Sequence, residues 1–288
     1  SIRGFEHRSA RSASCDGPMI YVRQATPVGE ARRPDSLWRS WRQIRVSRAE
    51  APGCHCLRTL CGMDLLELLE VRMQTMWRHD EGGRIVAKNR PQDGPAPRLV
   101  VSRSAEGVVW RAGPEVTEIE VATLEHLLQA DDHWRVDTPA TIDQIVAALG
   151  GGEIDGGPNF RPGPSMTAPT GATMLVSPAD IGVLEPLMGD WVDDVGSCDP
   201  VVATIVDGRA VAVCMSARVG PQVHEAGVET HAAHRGRGHG LAAVAAWRDA
   251  VVQRGVIPLY CTSWANTASQ RLAAAAGFQH YATDLYVL

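Results

Sequence analysis

Several common signatures are missing from this sequence. It has no run of eighteen apolar residues, so it predicts no transmembrane helix. Its first residues contain no apolar stretch of the kind that secretory signals carry, and we therefore expect no signal peptide. The absence of Gly-Lys-Ser/Thr excludes a P-loop nucleotide hydrolase. No Gly-x-Gly-x-x-Gly follows a strand, which excludes the common dinucleotide-binding loop.

Cysteine is too unevenly placed to indicate a disulfide framework or a metal centre. The seven cysteines are Cys15, Cys54, Cys56, Cys61, Cys198, Cys214 and Cys261. Neither Cys-x-x-Cys pairs nor zinc-type His and Cys sets occur, and Cys54-His55-Cys56 lies in a stretch without helix or strand periodicity. We therefore expect no metal site and a reducing, cytoplasmic environment.

Basic residues are concentrated at the N-terminus. Residues 1–62 hold eleven Arg, no Lys and five acidic residues, which gives this segment a charge of +6. Such a segment is either a basic arm for nucleic acid or a membrane surface, or a disordered or non-native extension. We favour the extension, and expect its removal to leave activity intact. Because the chain carries −5, residues 63–288 carry −11, which favours a small cationic substrate and disfavours nucleic acid and membrane partners.

Residues 63–165 read as a smaller N-terminal α+β domain. Apolar periodicity predicts helices at about 64–77, 115–129 and 141–149, with strands at about 84–88, 98–103 and 108–111. No catalytic constellation occurs there, so we expect this unit to shape the acceptor cleft or to mediate a homodimer. Residues 150–171 are rich in Gly and Pro and predict a linker or a loop beside the cleft.

The remaining chain, 170–288, predicts alternating strands and helices. A strand at 173–176 precedes a helix that begins after Ser177-Pro178 and runs to about Met188, and a second short helix covers about 191–195. Two strands follow, joined by Asp207-Gly208, a typical type I′ hairpin turn. The order then continues as strand, helix, strand, helix and strand to the end of the chain.

A glycine-rich turn lies between the strand at about 222–230 and a long helix at about 239–254. Glycine allows positive φ and lets a ligand approach the backbone closely. The free N–H groups of the first helical turn and the positive end of the helix dipole favour an anion there, most often a phosphate. The turn contains Arg235-x-x-Gly238-x-Gly240.

This turn resembles the acyl-CoA pyrophosphate loop of the GNAT superfamily of N-acetyltransferases. A second stretch resembles the same family: Asn266 in an N-cap position begins a helix over about 267–276, and Gly277-Phe278 follows eleven residues after Asn266. The resemblance covers about residues 170–288. It implies the GNAT fold of the α/β (α+β) class, with a mixed, mostly antiparallel twisted sheet flanked by helices.

The resemblance also implies acetyl transfer from acetyl-CoA to an amine. The cosubstrate would lie between the strand that ends at Thr230 and the strand that starts at Ile257. The residues implied in binding it are Val228, Thr230, Arg235, Gly236, Arg237, Gly238, His239, Gly240 and Asn266. Among these, a backbone N–H near Val228 would polarise the thioester carbonyl.

An amine nucleophile must lose a proton, so the reaction needs a base. We expect Glu225 to serve, with His224 and Glu229 next, because all three lie on the strand beside the thioester. The bulge expected in this strand leaves open whether residue 224 or residue 225 faces the cleft. Many relatives carry a Tyr acid seven residues after the Asn, whereas this chain has Ala273. Ser263 is our first candidate for the acid, Ser269 and Tyr281 are others, and unaided departure of the thiolate stays open.

The acceptor is less constrained by the sequence than the donor. The acidic body suits a polycationic amine such as an aminoglycoside, and some GNAT resistance enzymes are aminoglycoside 2'-N-acetyltransferases. Polyamines, amino acids and protein N-termini are rival acceptors. A second class of function stays open as well, a non-catalytic acyl-CoA sensor or toxin–antitoxin component that retains the fold.

Overall fold

A computed structural model describes residues 63–89, 94–128 and 134–288. The predicted N-terminal extension, 1–62, lies outside these described residues. In chain order, the helices and strands are α1 (Leu65–Met76), β1 (Trp77–His79), β2 (Ile85–Lys88), β3 (Leu99–Ser104), β4 (Gly107–Ala112), α2 (Glu118–Leu128), α3 (Ile142–Ala148), β5 (Ile154–Pro162), β6 (Thr173–Leu175), α4 (Glu185–Met188), β7 (Val201–Val206), β8 (Arg209–Val219), β9 (Val223–Thr230), α5 (His239–Gln253), β10 (Ile257–Cys261), α6 (Thr267–Ala275) and β11 (Phe278–Val287).

Nine of these strands form one mixed sheet. Their order is β4-β3-β11-β5-β10-β9-β8-β7-β6, while β1 and β2 pair separately. Every neighbouring pair of the large sheet is antiparallel except β9 and β10, which run parallel. The predicted fold class is therefore confirmed: a large, mostly antiparallel sheet with helices packed against it.

Helices cover both faces of this sheet. Consecutive residues of β9 show this, since Glu225 contacts Arg72 of α1, whereas His224 shares a hydrogen-bond network with Trp247 of α5. The core under α1 contains Leu69, Met73, Val100, Leu259 and Leu285. The core under α5 contains Val228, Val244, Trp247, Tyr260 and Phe278. Strand β9 thus has a helix on each face. Side chains on one face contact the charged Arg72, and those on the other face contact uncharged groups such as Ser216.

Strand β5 occupies the segment expected to be a linker. It lies between β10 and β11 and pairs with both in antiparallel register. Its glycines favour a loop when the sequence is read alone, but in the structure they allow neighbouring strands to approach closely. A Cβ at Gly156 would meet the Asp284 carbonyl oxygen at 2.2 Å, and one at Gly157 would meet the Thr262 carbonyl oxygen at 1.7 Å. Close approach of neighbouring backbones therefore requires glycine in this strand.

Strands β3 and β4 belong to the same sheet as the C-terminal strands. Strand β3 pairs with β11 along its whole length, from Leu99 opposite Val287 to Ser104 opposite Ala282. Within residues 63–165, β3, β4 and β5 therefore belong to the large sheet, and only β1 and β2 pair apart from it in the described residues. The physical reason is that β11 has two long edges of unpaired backbone groups, and β3 and β5 each satisfy one of them.

A continuous helix from Ser177 to Met188 is not formed. Ser177 and Asp180 instead close a local turn, with the Ser177 hydroxyl donating to Asp180 Oδ2 at 2.6 Å. A short 3₁₀ turn at Ile181–Val183 follows, and α4 is only four residues long with Pro186 in its first turn. Proline lacks the N–H that a helix interior needs, so Pro186 is compatible with a helix start and not with the middle of a longer helix.

Candidate acyl-CoA site

Strands β9 and β10 separate partway along their length. They pair only from Val223 opposite Ile257 to Glu225 opposite Leu259. Beyond this point β10 continues against β5, with Tyr260 opposite Phe160, while β9 continues against β8 as far as Thr230. From residue 226 to residue 230, the edge of β9 that faces β10 therefore has no strand partner among the described residues. An extended ligand with amide groups can hydrogen-bond to such an edge as an added strand does.

The glycine-rich turn lies at the end of this open edge. Gly236 and Gly238 have φ of 73° and 83°, values that side-chain-bearing residues rarely adopt. Helix α5 begins at His239. Within the described residues, the backbone N–H groups from residue 236 to residue 241 have no acceptor, and the Ala242 amide is the first to be bonded, to the Gly238 carbonyl at 3.0 Å. These free amides and the positive end of the helix dipole make an anion site.

Side chains hold the turn against the end of β9. Arg235 Nε donates to the Thr230 carbonyl oxygen at 3.1 Å, so this side chain links the turn to the last residue of β9. The Thr204 hydroxyl of β7 donates to the His239 carbonyl oxygen at 2.9 Å. At Gly240, a Cβ would lie only 2.7 Å from Thr230 Oγ1. The structure thus brings together the residues predicted to bind the cosubstrate at Thr230 and from Arg235 to Gly240.

Three histidines surround the same turn. The ring centroids of His231 and His234 are 5.8 Å apart, and those of His234 and His239 are 6.0 Å apart. Burial lowers the pKa of His234, repulsion from Arg237 and the other two imidazoles lowers it further, and Asp207 acts in the opposite direction. No group of His, Cys, Asp and Glu suited to a metal occurs among the described residues. The sequence reasoning singled out only His239, although the spacing 231, 234 and 239 across one tight turn is visible in the sequence.

The second predicted motif lies where β10 ends. Asn266 Oδ1 accepts from the Ser269 amide at 3.0 Å, as an N-cap does, and α6 ends before Gly277, whose φ is 86°. Ser263 lies in the turn between β10 and α6, where its carbonyl oxygen accepts from Gln270 Nε2 at 3.1 Å. The Ser269 hydroxyl is hydrogen-bonded to the Tyr260 phenol at 2.7 Å. Because the Asn266 side-chain oxygen caps α6, the NH₂ group is the part of this side chain that can meet a ligand.

Glu225 is buried in an ion cluster on the α1 face. Its carboxylate receives Arg72 Nε at 2.8 Å and Arg72 Nη2 at 3.0 Å. Arg72 Nη1 also donates to Asp284 Oδ2 at 3.2 Å, and the Ser102 hydroxyl donates to Asp284 Oδ1 at 2.8 Å. Burial raises the pKa of Asp284 to about 7, against the opposing effect of Arg72. Glu225 is 2% exposed, so in this conformation its contacts are within the protein.

His224 points to the other face of the sheet. Its Nδ1 is 2.9 Å from Ser216 Oγ, which also accepts from Trp247 Nε1 at 3.1 Å. Burial lowers the pKa of His224, and the charge of Arg254 lowers it further. The expected bulge lies in the partner strand, because β8 advances from Ser216 to Arg218 while β9 advances by one residue. The alternation of β9 is therefore regular, and residues 224 and 225 face opposite sides.

Glu229 is the exposed carboxylate of β9 on the same face as Glu225. Trp191 Nε1 donates to its Oε2 at 2.8 Å. Trp191 belongs to a 3₁₀ segment, Gly189–Asp194, that also carries Asp190, Asp193 and Asp194. An acidic segment therefore contacts β9 through Trp191 and Glu229.

Comparison with known proteins finds a family match over part of the chain. Residues 202–284, from β7 into β11, match the family model described as GNAT acetyltransferase. This segment contains both motifs and both strands that separate. No curated protein matches the chain significantly.

Solved structures similar to this chain include three bacterial proteins. A GCN5-related N-acetyltransferase from Sphaerobacter thermophilus is 15% identical, with 80% of this chain and 88% of that chain covered and a TM-score of 0.45. One from Kribbella flavida is 20% identical, with 51% and 63% covered and a TM-score of 0.41. A putative GNAT-family acetyltransferase from Novosphingobium aromaticivorans DSM 12444 is 18% identical, with 47% and 66% covered and a TM-score of 0.39. The chain spans just under two thirds of the last two.

Within the described residues, no helix combines the length and the apolar character that crossing a bilayer requires.

Proposed function

We propose that the chain is an acetyl-CoA-dependent N-acetyltransferase that acts on a primary amine. The observation that carries this proposal is the adjacency of two features: the open edge of β9 over 226–230 and the free amides at the start of α5. One suits an extended amide-containing chain, and the other suits a diphosphate. Coenzyme A joins both groups in one molecule. The family match over residues 202–284 supports the same conclusion.

The turn supplies the diphosphate site. Amides of Gly236, Arg237, Gly238, His239 and Gly240 donate hydrogen bonds to phosphate oxygens, and the α5 dipole adds to the attraction. Arg235 contributes through its backbone and by fixing the turn to Thr230. The Arg237 side chain, which is exposed, is the nearest cation in sequence that is free to approach a phosphate.

The open strand edge orients the reacting end. Backbone groups of Val228 and Thr230 bind the pantetheine amides, and the Asn266 NH₂ group binds the same arm from the other side of the gap. Acetyl-CoA supplies the acetyl group as a thioester, and transfer to the amine releases the CoA thiol. The Val228 N–H stabilises negative charge on the thioester oxygen as the amine attacks.

Glu229 is the best placed carboxylate to take a proton from the amine. It is exposed, it lies one residue from Val228, and the Trp191 hydrogen bond fixes its orientation. Glu225, the base favoured from sequence, stays a rival, but Arg72 occupies its carboxylate and only 2% of the residue is exposed. His224 faces α5 and is a more distant candidate.

The leaving thiolate has no tyrosine at the position where many relatives carry one. Ala273 is fully buried in the core under α5, so no proton donor at this position can reach the thiolate. Ser263, in the turn after β10, is our first candidate for the acid. Unaided departure is also compatible with a thiol pKa of about 8.5.

A small cationic acceptor suits the surroundings of Glu229. The segment that carries Asp190, Asp193 and Asp194 contacts Glu229 through Trp191 and adds negative charge to this part of the protein, in agreement with the −11 carried by residues 63–288. Aminoglycosides, including those acetylated at the 2'-amine, are one class of such acceptor. Polyamines, amino acids and protein N-termini are the others to be tested.

A second candidate function is a non-catalytic acyl-CoA-binding module. The observation that favours it is Ala273, because the buried alanine leaves no room for a phenol there. Such a module would bind the nucleotide and the pantetheine arm through the same turn and strand edge without turnover.

Two measurements on the full chain separate these functions. Calorimetric titration with coenzyme A tests the shared binding site, and loss of saturable binding would exclude both. Release of free thiol from acetyl-CoA, followed in the presence of aminoglycosides, polyamines, amino acids and peptides, tests catalysis. Turnover of one amine class supports the enzyme, whereas tight binding with no turnover across the panel supports the module.

A further inference from the structure

We infer that His231, His234 and His239 form a titratable part of the diphosphate site, so that ligand binding takes up protons and tightens as the pH falls. This inference rests on the proposed function, because it concerns the same turn. It adds to the backbone amides a set of side chains whose charge changes near neutral pH.

The three imidazoles bracket the free amides of the turn. His231 lies directly after β9, His234 lies two residues before Gly236, and His239 is the first residue of α5. All three are half-buried, and their rings form a chain with centroid separations of 5.8 and 6.0 Å. The Nδ1 atoms of His231 and His234 are buried and have no hydrogen-bond partner among the described residues. Two ring nitrogens in the segment that leads into the turn are thus left without a partner among the described residues.

The charges around His234 disfavour its protonation in the free protein. Arg235 and Arg237 lie in the same turn, and the α5 dipole is positive at this end. Asp207, in the β7–β8 hairpin, is the acidic group that acts on His234. The uncharged side chains of Thr204, Thr230 and Leu272 lie close to the start of α5. Accumulated positive charge therefore disfavours protonation, in agreement with the lowered pKa of His234.

A bound diphosphate reverses this balance. Its negative charge favours the imidazolium form, so the pKa of a nearby histidine is higher in the complex than in the free protein. Affinity is then greatest below the free pKa and is lost as the pH rises through the pKa of the complex. Each unit by which binding raises an imidazole pKa multiplies the low-pH affinity by about ten.

The experiment is calorimetric titration of the full chain with coenzyme A at about pH 6 and about pH 8, on either side of the ordinary imidazole pKa. Each titration is run in two buffers of different ionisation enthalpy, which gives the number of protons taken up. The variants are His234→Asn and, separately, His231→Asn, because asparagine retains polarity and does not titrate. His126→Asn, an exposed histidine of α2, is the matched control.

For each protein we compare the affinity at about pH 6 with the affinity at about pH 8. We expect this ratio to be at least about threefold larger in the wild type and the control than in His234→Asn, and we expect His234→Asn to take up fewer protons on binding. The ligand's own 3′-phosphate titrates in the same range and contributes equally to all proteins. The inference is overturned if His234→Asn and His231→Asn lower the affinity equally at both pH values. It is also overturned if the wild type takes up no more protons on binding than these variants do. Absence of coenzyme A binding at either pH instead contradicts the proposed function.

Discussion

Arg72 of α1 binds Glu225 of β9 through two parallel hydrogen bonds, at 2.8 and 3.0 Å, although 153 residues separate them in sequence. The guanidinium is fully buried and also reaches Asp284 of β11. This contact ties the first described helix to the strand that borders the candidate acyl-CoA site. The position of β9 therefore depends on α1.

Replacing Arg72 should destabilise the protein strongly. Arg72→Met keeps the length of the side chain and removes the charge, which leaves Glu225 buried without its partner. Breaking a buried ion pair from one side typically costs roughly 3–5 kcal/mol. Urea unfolding measures the loss. Arg254→Met is the control, because Arg254 and Asp199 form a partly exposed pair for which a loss of about 1 kcal/mol or less is expected. Equal losses in the two variants would contradict a structural role for the buried pair.

The two carboxylates on the α1 face of β9 should respond differently to loss of charge. Glu229→Gln is expected to lower kcat by about 10²-fold, the range for loss of a general base, with coenzyme A affinity little changed. Glu225→Gln is expected to act mainly on stability, because its carboxylate is bound by Arg72. Steady-state kinetics measures kcat of both variants, and urea unfolding measures their stability. Near-normal turnover in Glu229→Gln, together with a large loss of kcat in folded Glu225→Gln, would return the base to Glu225.

A methyl group at position 240 should weaken coenzyme A binding. In Gly240→Ala, the Cβ would lie 2.7 Å from Thr230 Oγ1, so the start of α5 or the end of β9 must move. We expect roughly tenfold lower affinity, since a displacement of about 1 Å disrupts aligned hydrogen bonds. Adding Thr230→Ala removes the clashing oxygen and should restore part of the affinity. Gly182→Ala, where a Cβ meets nothing within 4 Å, is the control.

Asp284 should make stability depend on pH in the direction opposite to that of an ordinary surface carboxylate. Burial raises its pKa to about 7 in the folded protein, above its value in the unfolded chain. The folded state therefore binds the proton more tightly, and the resulting stability is lost as the pH rises through the folded pKa. Relative to Asp284→Asn, the wild type should lose stability between about pH 5 and about pH 8. The stability of Asp143→Asn, a change at an exposed residue, should depend on pH as that of the wild type does. If the stability of Asp284→Asn also follows the wild type across this pH range, the raised pKa of Asp284 is refuted.

Local sequence patterns were sufficient for most of the elements around the candidate site. The Asp207-Gly208 hairpin was predicted from its turn residues, and the structure shows the positive φ angles, 49° and 73°, that this turn needs. The Asn266 cap and the Gly277 stop were likewise predicted, because both depend on backbone groups only a few residues away. Helix α5 was predicted from apolar periodicity.

Other features depend on contacts that no local pattern contains. Strand β5 has the composition of a loop, and its glycines make sense only when the backbones of Thr262 and Asp284 lie beside them. The partner of Glu225 is Arg72, 153 residues away, so the pattern around Glu225 contains no sign of this contact. The spacing of His231, His234 and His239 is visible in the sequence, but the ring separations of 5.8 and 6.0 Å depend on how the turn folds.

The position of β5 between β10 and β11 limits how the chain can be shortened. A truncated fragment of residues 170–288 retains both family motifs, yet it removes the strand that separates β10 from β11 and also β3, which covers the far edge of β11. One edge of β10 and both edges of β11 would then lose their partners, and such edges recruit other chains into aggregates. An autonomous version of the acyl-CoA site must therefore include residues from before Ile154, and domain trimming for expression should begin ahead of α1.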